Sequence, residues 1–427
     1  MNAMLPKDML EAARLTREGR LAEASALLQC LLQGNAAADP AAATPQGDLG
    51  LPAARPPRII DVNPETGEVS EPAPAPAAAA ARRKAGGPWP AAGMGKAPLP
   101  QMPEALRGFL DQINQGGLGQ GLDGLARRGP AAAPGPMPEG ARFVAGSFGA
   151  KAGSRAYKLY IPSTRRSGPV PLVVMLHGCT QSPDDFAAGT RMNLLAEEHG
   201  VLILYPAQPS SANAQKCWNW FSPGDQQRDQ GEPSLIAGMT RQVMREHAAD
   251  PRRVYVAGLS AGGAAAAIMG QSYPDLYAAV GVHSGLACGA ARDLTSALAA
   301  MRQGAAGTPL RTGDAARVIP TIVFHADRDT TVHPRNGDQV IAQSAAAAPS
   351  GLRTETQRGQ VADGHAYSRT LHADAAGQTV LEQWLIHGGG HAWSGGSPAG
   401  SYTDPRGPDA SREMLRFFLE HAQDAAS

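Results

Sequence analysis

From about residue 140 onward, short apolar runs alternate with stretches of helical periodicity, and this alternation restricts the chain to one broad architecture. Arg142–Phe148, Ala156–Ile161, Pro171–His177, Val201–Tyr205, Arg253–Gly258, Ala279–His283, Thr321–His325 and Val380–His387 read as strands, the first two as a meander. Asp184–His199, Pro233–His247, Asn336–Ala347 and Asp409–Ala422 read as helices. In the last of these, Met414, Leu415, Phe418 and Leu419 share an apolar side. Strands that are apolar throughout need cover on both faces, and intervening helices supply it. The expectation is an α/β fold: a mainly parallel sheet of about eight strands, with helices on both faces, over residues 140–427.

The N-terminal third has a different texture. Residues 1–34 suggest two short helices around Gly19, with Leu21, Ala24, Leu28 and Leu31 at helical spacing and Gly34-Asn35 as a stop. Such a hairpin is too small to be stable alone. It either docks on the main domain or a partner subunit, or acts as an interaction or targeting element. Residues 35–139 are rich in Ala, Pro and Gly, as in Pro72-Ala73-Pro74-Ala75-Pro76-Ala77. That composition buries too little apolar surface to offset chain entropy, so a largely disordered linker is expected. Two interruptions are Arg58–Val62 and a short amphipathic helix near 104–114, carrying Leu106, Phe109, Leu110 and Ile113.

Charge excludes some functions. Lys plus Arg and Asp plus Glu number 38 each, which gives no footing for nucleic-acid or electrostatic membrane binding. Met1–Arg20 intersperses seven charged residues among apolar ones, unlike a secretory leader, and no run approaches the roughly 18 apolar residues of a membrane span. Four cysteines are too few for a disulfide scaffold in 427 residues, and their spacing is unlike a zinc site, so no metal is expected. Cys217 and Cys288 are candidates for one bridge in an oxidising compartment.

Chemistry concentrates around Val254-Tyr255-Val256-Ala257-Gly258-Leu259-Ser260-Ala261-Gly262-Gly263. A strand, a sharp G-x-S-x-G turn and a helix of small residues together lift a serine hydroxyl above the sheet. A serine needs a base within reach and a group that orients that base. The strand Thr321–His325 is followed by Asp327 and Asp329, and Asp329 is the preferred acid with Asp327 second. Gly388-Gly389-Gly390-His391-Ala392-Trp393 follows another strand and offers His391 as base, with His283 and His333 as rivals. The order Ser260, Asp329, His391 is that of α/β-hydrolases. Two backbone N–H groups would form an oxyanion hole: Ala261 after the serine, and Cys179 in the loop His177-Gly178-Cys179-Thr180-Gln181. On this reading the Cys179 side chain is incidental, and its rival role as nucleophile lacks an elbow. Trp218 and Asn219, in Cys217-Trp218-Asn219-Trp220-Phe221, together with Trp393 suggest the wall of an apolar acyl cleft, with core packing as the plain alternative.

These loops, together with Gly231-Glu232-Pro233-Ser234, resemble the polyhydroxybutyrate depolymerase family of esterases, over about residues 140–425. That family is similar in turn to feruloyl and acetylxylan esterases. The resemblance implies an α/β-hydrolase fold and cofactor-free serine-esterase chemistry on poly(3-hydroxybutyrate), its oligomers or related short-chain esters. It implies Ser260, Asp329 and His391 as the catalytic set, with Cys179 and Ala261 as oxyanion donors. Other expectations stay open: a feruloyl, acetylxylan or general carboxylesterase, or a non-catalytic protein that binds polyester granules. Granule or oligomer contact is expected through residues 1–34. The chain looks closer to intracellular-type members, giving a cytoplasmic, granule-associated location, with an extracellular one as the alternative.

Overall fold

The computed structural model describes residues 137–165, 168–306, 318–348 and 351–423. The helical hairpin expected at 1–34, most of the 35–139 linker and the helix near 104–114 lie outside the described residues. No helix among the described residues is long and apolar enough to cross a membrane.

The core is a ten-stranded sheet in the order β1-β2-β4-β3-β5-β6-β7-β10-β9-β8. Its strands are β1 (Arg142–Ala150), β2 (Gly153–Ile161), β3 (Val170–Leu176), β4 (Leu202–Pro206), β5 (Ala249–Leu259), β6 (Ala279–His283), β7 (Thr321–Ala326), β8 (Arg353–Gln360), β9 (Ala366–Ala373) and β10 (Thr379–Ile386). The central run from β4 to β10 is parallel throughout, and antiparallel pairs flank it at both ends. A two-residue pair, β11 (Trp393–Ser394) with β12 (Thr403–Asp404), lies apart.

Alternation along the strands divides the core in two. Leu172, Val174, Leu176, Val254 and Val256 face one side. They meet apolar residues of α3 (Gly231–Glu246), α4 (Ala261–Ser272), α5 (Leu294–Gln303) and α6 (Arg335–Ala345). Val173, Met175, Tyr255, Ala257 and Phe324 face the other side. There they pack on α1 (Pro183–Thr190), α2 (Met192–His199) and α7 (Ala410–Leu419). These strands are buried on both faces, as continuous apolar runs require.

Two expectations need correcting. The sheet has ten strands, not eight, because the hairpin of β8 and β9 extends it beyond the helical cover. Nearly all of β8 is exposed, so its sequence RTETQRGQ carries no apolar alternation to announce a strand. The single helix expected over Asp184–His199 is two helices, broken at Arg191, whose φ of 56° is left-handed. The Arg191 guanidinium donates to Gly395 O at 2.6 Å, tying the break to a distant loop.

Helix α4 approaches the sheet at backbone distance. A Cβ on Gly262 would lie 2.0 Å from Leu176 O and 2.5 Å from His177 O, and one on Gly258 would lie 2.3 Å from the Gly262 carbonyl. Both obstacles are backbone and cannot swing aside. Gly262→Ala is expected to destabilise the fold by about 3 kcal/mol, read from the urea midpoint. An unchanged midpoint would contradict this packing.

Candidate active site

Because β3, β5, β6, β7 and β10 run in parallel, their carboxyl ends share one edge of the sheet, where such folds gather functional groups. Ser260 follows β5 directly and adopts φ 58°, ψ −119°. A non-glycine residue held there costs about 1–3 kcal/mol, so the surroundings must enforce it. They do so through Ser260 N–H donating to His283 O at 2.9 Å and Ala264 N–H donating to Ser260 O at 2.9 Å. The serine nonetheless keeps 9% of its surface exposed.

Asp329 follows β7, and His391 follows β10. The structure joins them: His391 Nδ1 donates to Asp329 Oδ2 at 2.7 Å. Asp329 is buried, and its Oδ1 also accepts the backbone N–H groups of Thr331 and Val332 at 2.9 and 2.8 Å. Burial opposes its charge, but His391 and His325 outweigh burial and hold the carboxyl well below its usual range. His325, on β7, places Nε2 2.8 Å from Val332 O and 3.4 Å from Asp329 Oδ2. Both are acceptors, so Nε2 carries the proton. No Ser260 Oγ–His391 hydrogen bond forms among the described residues, and the serine is brought to the pair only by sheet order.

Asp327, the second acid candidate, is engaged elsewhere. Its Oδ2 lies 3.0 Å from His387 Nδ1, its Oδ1 accepts Gly388 N–H at 2.7 Å, and His387 Nε2 lies 2.9 Å from Ser368 Oγ. With Arg328 N–H donating to Gly389 O, these contacts fasten the acid loop to the histidine loop.

Neither rival histidine pairs with a carboxylate among the described residues. His283 is fully buried between Phe324 and Trp393, with near-parallel rings at 5.8 and 5.0 Å. Its Nε2 accepts Ser394 N–H at 3.0 Å, and its Nδ1 lies 3.1 Å from Ser284 Oγ. Burial, with smaller contributions from His325 and His391, keeps it neutral. His333 is exposed, and its Nδ1 accepts Arg335 N–H at 3.2 Å.

The loop after β3 is gripped from several directions. His177 Nε2 accepts Gln208 N–H at 3.1 Å, so Nδ1 carries the proton and donates to Gly178 O at 2.8 Å. His177 O accepts Trp218 Nε1–H at 3.1 Å, Gly178 N–H donates to Gln181 Oε1 at 2.9 Å, and Thr180 N–H donates to Gln215 O at 2.6 Å. Cys179 N–H has no acceptor among the described residues. Ala261 N–H, at the first position of α4, has none within its helix.

The cysteine expectation is overturned. Cys179 pairs with Cys217, with Cα atoms 4.2 Å apart. The Thr180–Gln215 bond holds those two loops together, whereas Cys288 is buried where Gln343 binds its backbone N–H and carbonyl. The Cys179 side chain is therefore not incidental. The proposed cleft-wall residues also point inward. Trp218 is fully buried, and Trp393 is 1% exposed with Nε1–H donating to Ser411 Oγ. Asn219 is occupied by Glu232 and Asn213. No cluster of three or more His, Cys, Asp or Glu able to hold a metal occurs among the described residues.

The fold is that of the α/β-hydrolases. The acetyl xylan esterase of Aspergillus awamori superposes with a TM-score of 0.50 at 22% identity, covering 65% of this chain and 99% of that one. Residues 155–353 match the family described as esterase PHB depolymerase, and the chain belongs to that family. Poly(3-hydroxyalkanoate) depolymerase C of Paucimonas lemoignei is 34% identical over 255 residues, 57% of this chain and 60% of that protein. Feruloyl esterase B of Thermothelomyces thermophilus is 30% identical over 200 residues, 43% of this chain and 67% of its own. Probable acetylxylan esterase A of Aspergillus clavatus is 30% identical over 193 residues, 42% of this chain and 61% of its own. The chain thus spans about two thirds or less of these relatives' lengths.

Buried neutral histidines give the region a pH signature. Burial lowers His177 from 6.5 to about 4. Between those values the unfolded chain binds a proton that the native one does not, so stability rises with pH. The contribution is complete above about pH 6.5 and is lost on acidification toward pH 4, an effect of about 3 kcal/mol. Denaturant unfolding across this range should show the slope, and His177→Gln should make it shallower. Equal slopes would exclude His177 as its source.

Proposed function

We propose that this chain is a serine esterase acting on poly(3-hydroxybutyrate), its oligomers or related short-chain esters. The observation that carries the reading is the 2.7 Å Asp329–His391 bond, on the same carboxyl edge of the sheet as the strained Ser260 turn. Ser260 Oγ attacks the ester carbonyl while His391 takes its proton through Nε2, the nitrogen that Asp329 leaves available. Asp329, ionised far into the acid range, fixes the tautomer and stabilises the imidazolium. The oxyanion draws on the N–H groups of Cys179 and Ala261. His391 returns the proton to the leaving alkoxide, then activates water against the acyl-enzyme to release the hydroxy acid.

The depolymerase relative supports a hydroxyalkanoate ester, and the feruloyl and acetylxylan esterase relatives support the second reading, a carboxylesterase for those acyl groups. The Cys179–Cys217 bridge favours an oxidising compartment, which weighs for the extracellular over the cytoplasmic location. Residues 1–34 would contact granules or a second copy, a reading that rests on their amphipathic spacing alone.

Ser260→Ala should lower turnover of p-nitrophenyl butyrate about 10⁴-fold or more, and Asp329→Asn by a comparable factor. Activity within tenfold of the unsubstituted protein would remove the serine mechanism. Initial rates on amorphous poly(3-hydroxybutyrate), a feruloyl ester and acetylated xylan then rank the acyl groups, with the hydroxybutyrate polymer expected first.

A further inference from the structure

We infer that Glu232 is the positioning residue of the oxyanion loop, a carboxylate that sets the Cys179 N–H through two separate arms. The inference rests on the serine-esterase reading above. Glu232 lies in the first turn of α3, 6% exposed, and touches no candidate catalytic side chain. One arm runs through Gln208, whose Nε2 donates to Glu232 Oε1 and to Cys217 O, and whose backbone N–H fixes the His177 ring against Gly178 O. The other runs through Asn219, whose backbone N–H and Nδ2 donate to Glu232 Oε2 and Oε1, both at 2.7 Å. Asn219 adjoins Trp218, which holds His177 O, and Trp218 adjoins Cys217, which is bonded to Cys179.

The direction of every bond is determined, and together they require an ionised carboxylate. Asn213 Oδ1 accepts the backbone N–H groups of Gln215 and Cys217, so its Nδ2 donates to Asn219 Oδ1. That leaves Asn219 Nδ2 to donate to Glu232. Gln208 Oε1 accepts Arg155 Nε–H at 2.9 Å, so its Nε2 must face Glu232. The Arg155 guanidinium lies 3.5 Å from Glu232 Oε1. Both oxygens thus receive donors only. An amide in place of the carboxylate would set its NH₂ against a donor in either orientation, and neither Gln208 nor Asn219 can reverse without losing another partner.

The test is Glu232→Gln, which keeps volume and removes acceptor capacity. On p-nitrophenyl butyrate, kcat should fall at least tenfold with KM within threefold, because oxyanion donors act on the transition state. Inhibition by butylboronic acid, which forms a tetrahedral adduct on the serine, should weaken by a matching factor. Circular dichroism and gel filtration establish that the variant is folded. If it is not, Asn219→Ala, which cuts one arm only, takes its place with the same expected split. A folded variant with kcat within twofold, or a loss confined to KM, overturns the inference. Ser260→Ala separates the two levels: residual activity there sinks the esterase reading itself, whereas an inactive Ser260→Ala with a fully active Glu232→Gln sinks only the role given to Glu232.

Discussion

The backbone contact between Gly262 and the carbonyls of Leu176 and His177 is the constraint on which the carboxyl edge depends. With no side chain at Gly258 or Gly262, α4 sits down on β3, and the turn between β5 and α4 has no room to relax. The strained φ of Ser260 follows from this. The same contact brings α4 against the start of the His177–Gln181 loop. Ala261 N–H and Cys179 N–H therefore belong to one packed unit rather than to two independent loops.

Burial decides which histidine can exchange protons. His177, His283 and His325 are each about 99–100% buried, and each has a ring nitrogen committed to the backbone. His177 and His283 are also pushed toward the neutral form by desolvation. They fix, respectively, the loop after β3, the segment entering β11, and the loop carrying Asp329. His391 differs in keeping 12% of its side chain exposed while Nδ1 bonds the Asp329 carboxylate at 2.7 Å; His325 also lies 3.4 Å from that carboxylate, but is buried. A charge that appears on the His391 imidazole is met by Asp329, whereas a charge on His177 or His283 would meet a carbonyl, a hydroxyl or an N–H.

The legibility of the sequence follows the same physics. The central strands were readable because burial on both faces leaves unbroken apolar runs, and Ser260, Asp329 and His391 stood out because each follows such a run in a short loop. Strands β8 and β9 were not readable, since β8 is exposed and β9 only half-buried along its length. Arg191 itself, where the helix breaks, is neither glycine nor proline. It is held by Gly395, a neighbour 204 residues away. Trp218 and Trp393 illustrate a different limit: composition marks aromatics as notable but cannot say which way they point. The bridge between Cys179 and Cys217 depends on two loops meeting at Thr180 and Gln215, which spacing along the chain does not encode.

The motifs that carry the family likeness look like separate signals in the sequence, but three of them form one object. His177-Gly178-Cys179-Thr180-Gln181 and Cys217-Trp218-Asn219-Trp220-Phe221 are joined by a disulfide, an indole N–H and a backbone bond. Gly231-Glu232-Pro233-Ser234 then anchors the second through Asn219. A neutral group at position 232 would leave several buried donors short of an acceptor, and each such group costs roughly 1–3 kcal/mol. That cost, rather than any contact with substrate, accounts for an acid at this position. It also explains why a helix on one face of the sheet carries residues matched to a loop on its edge.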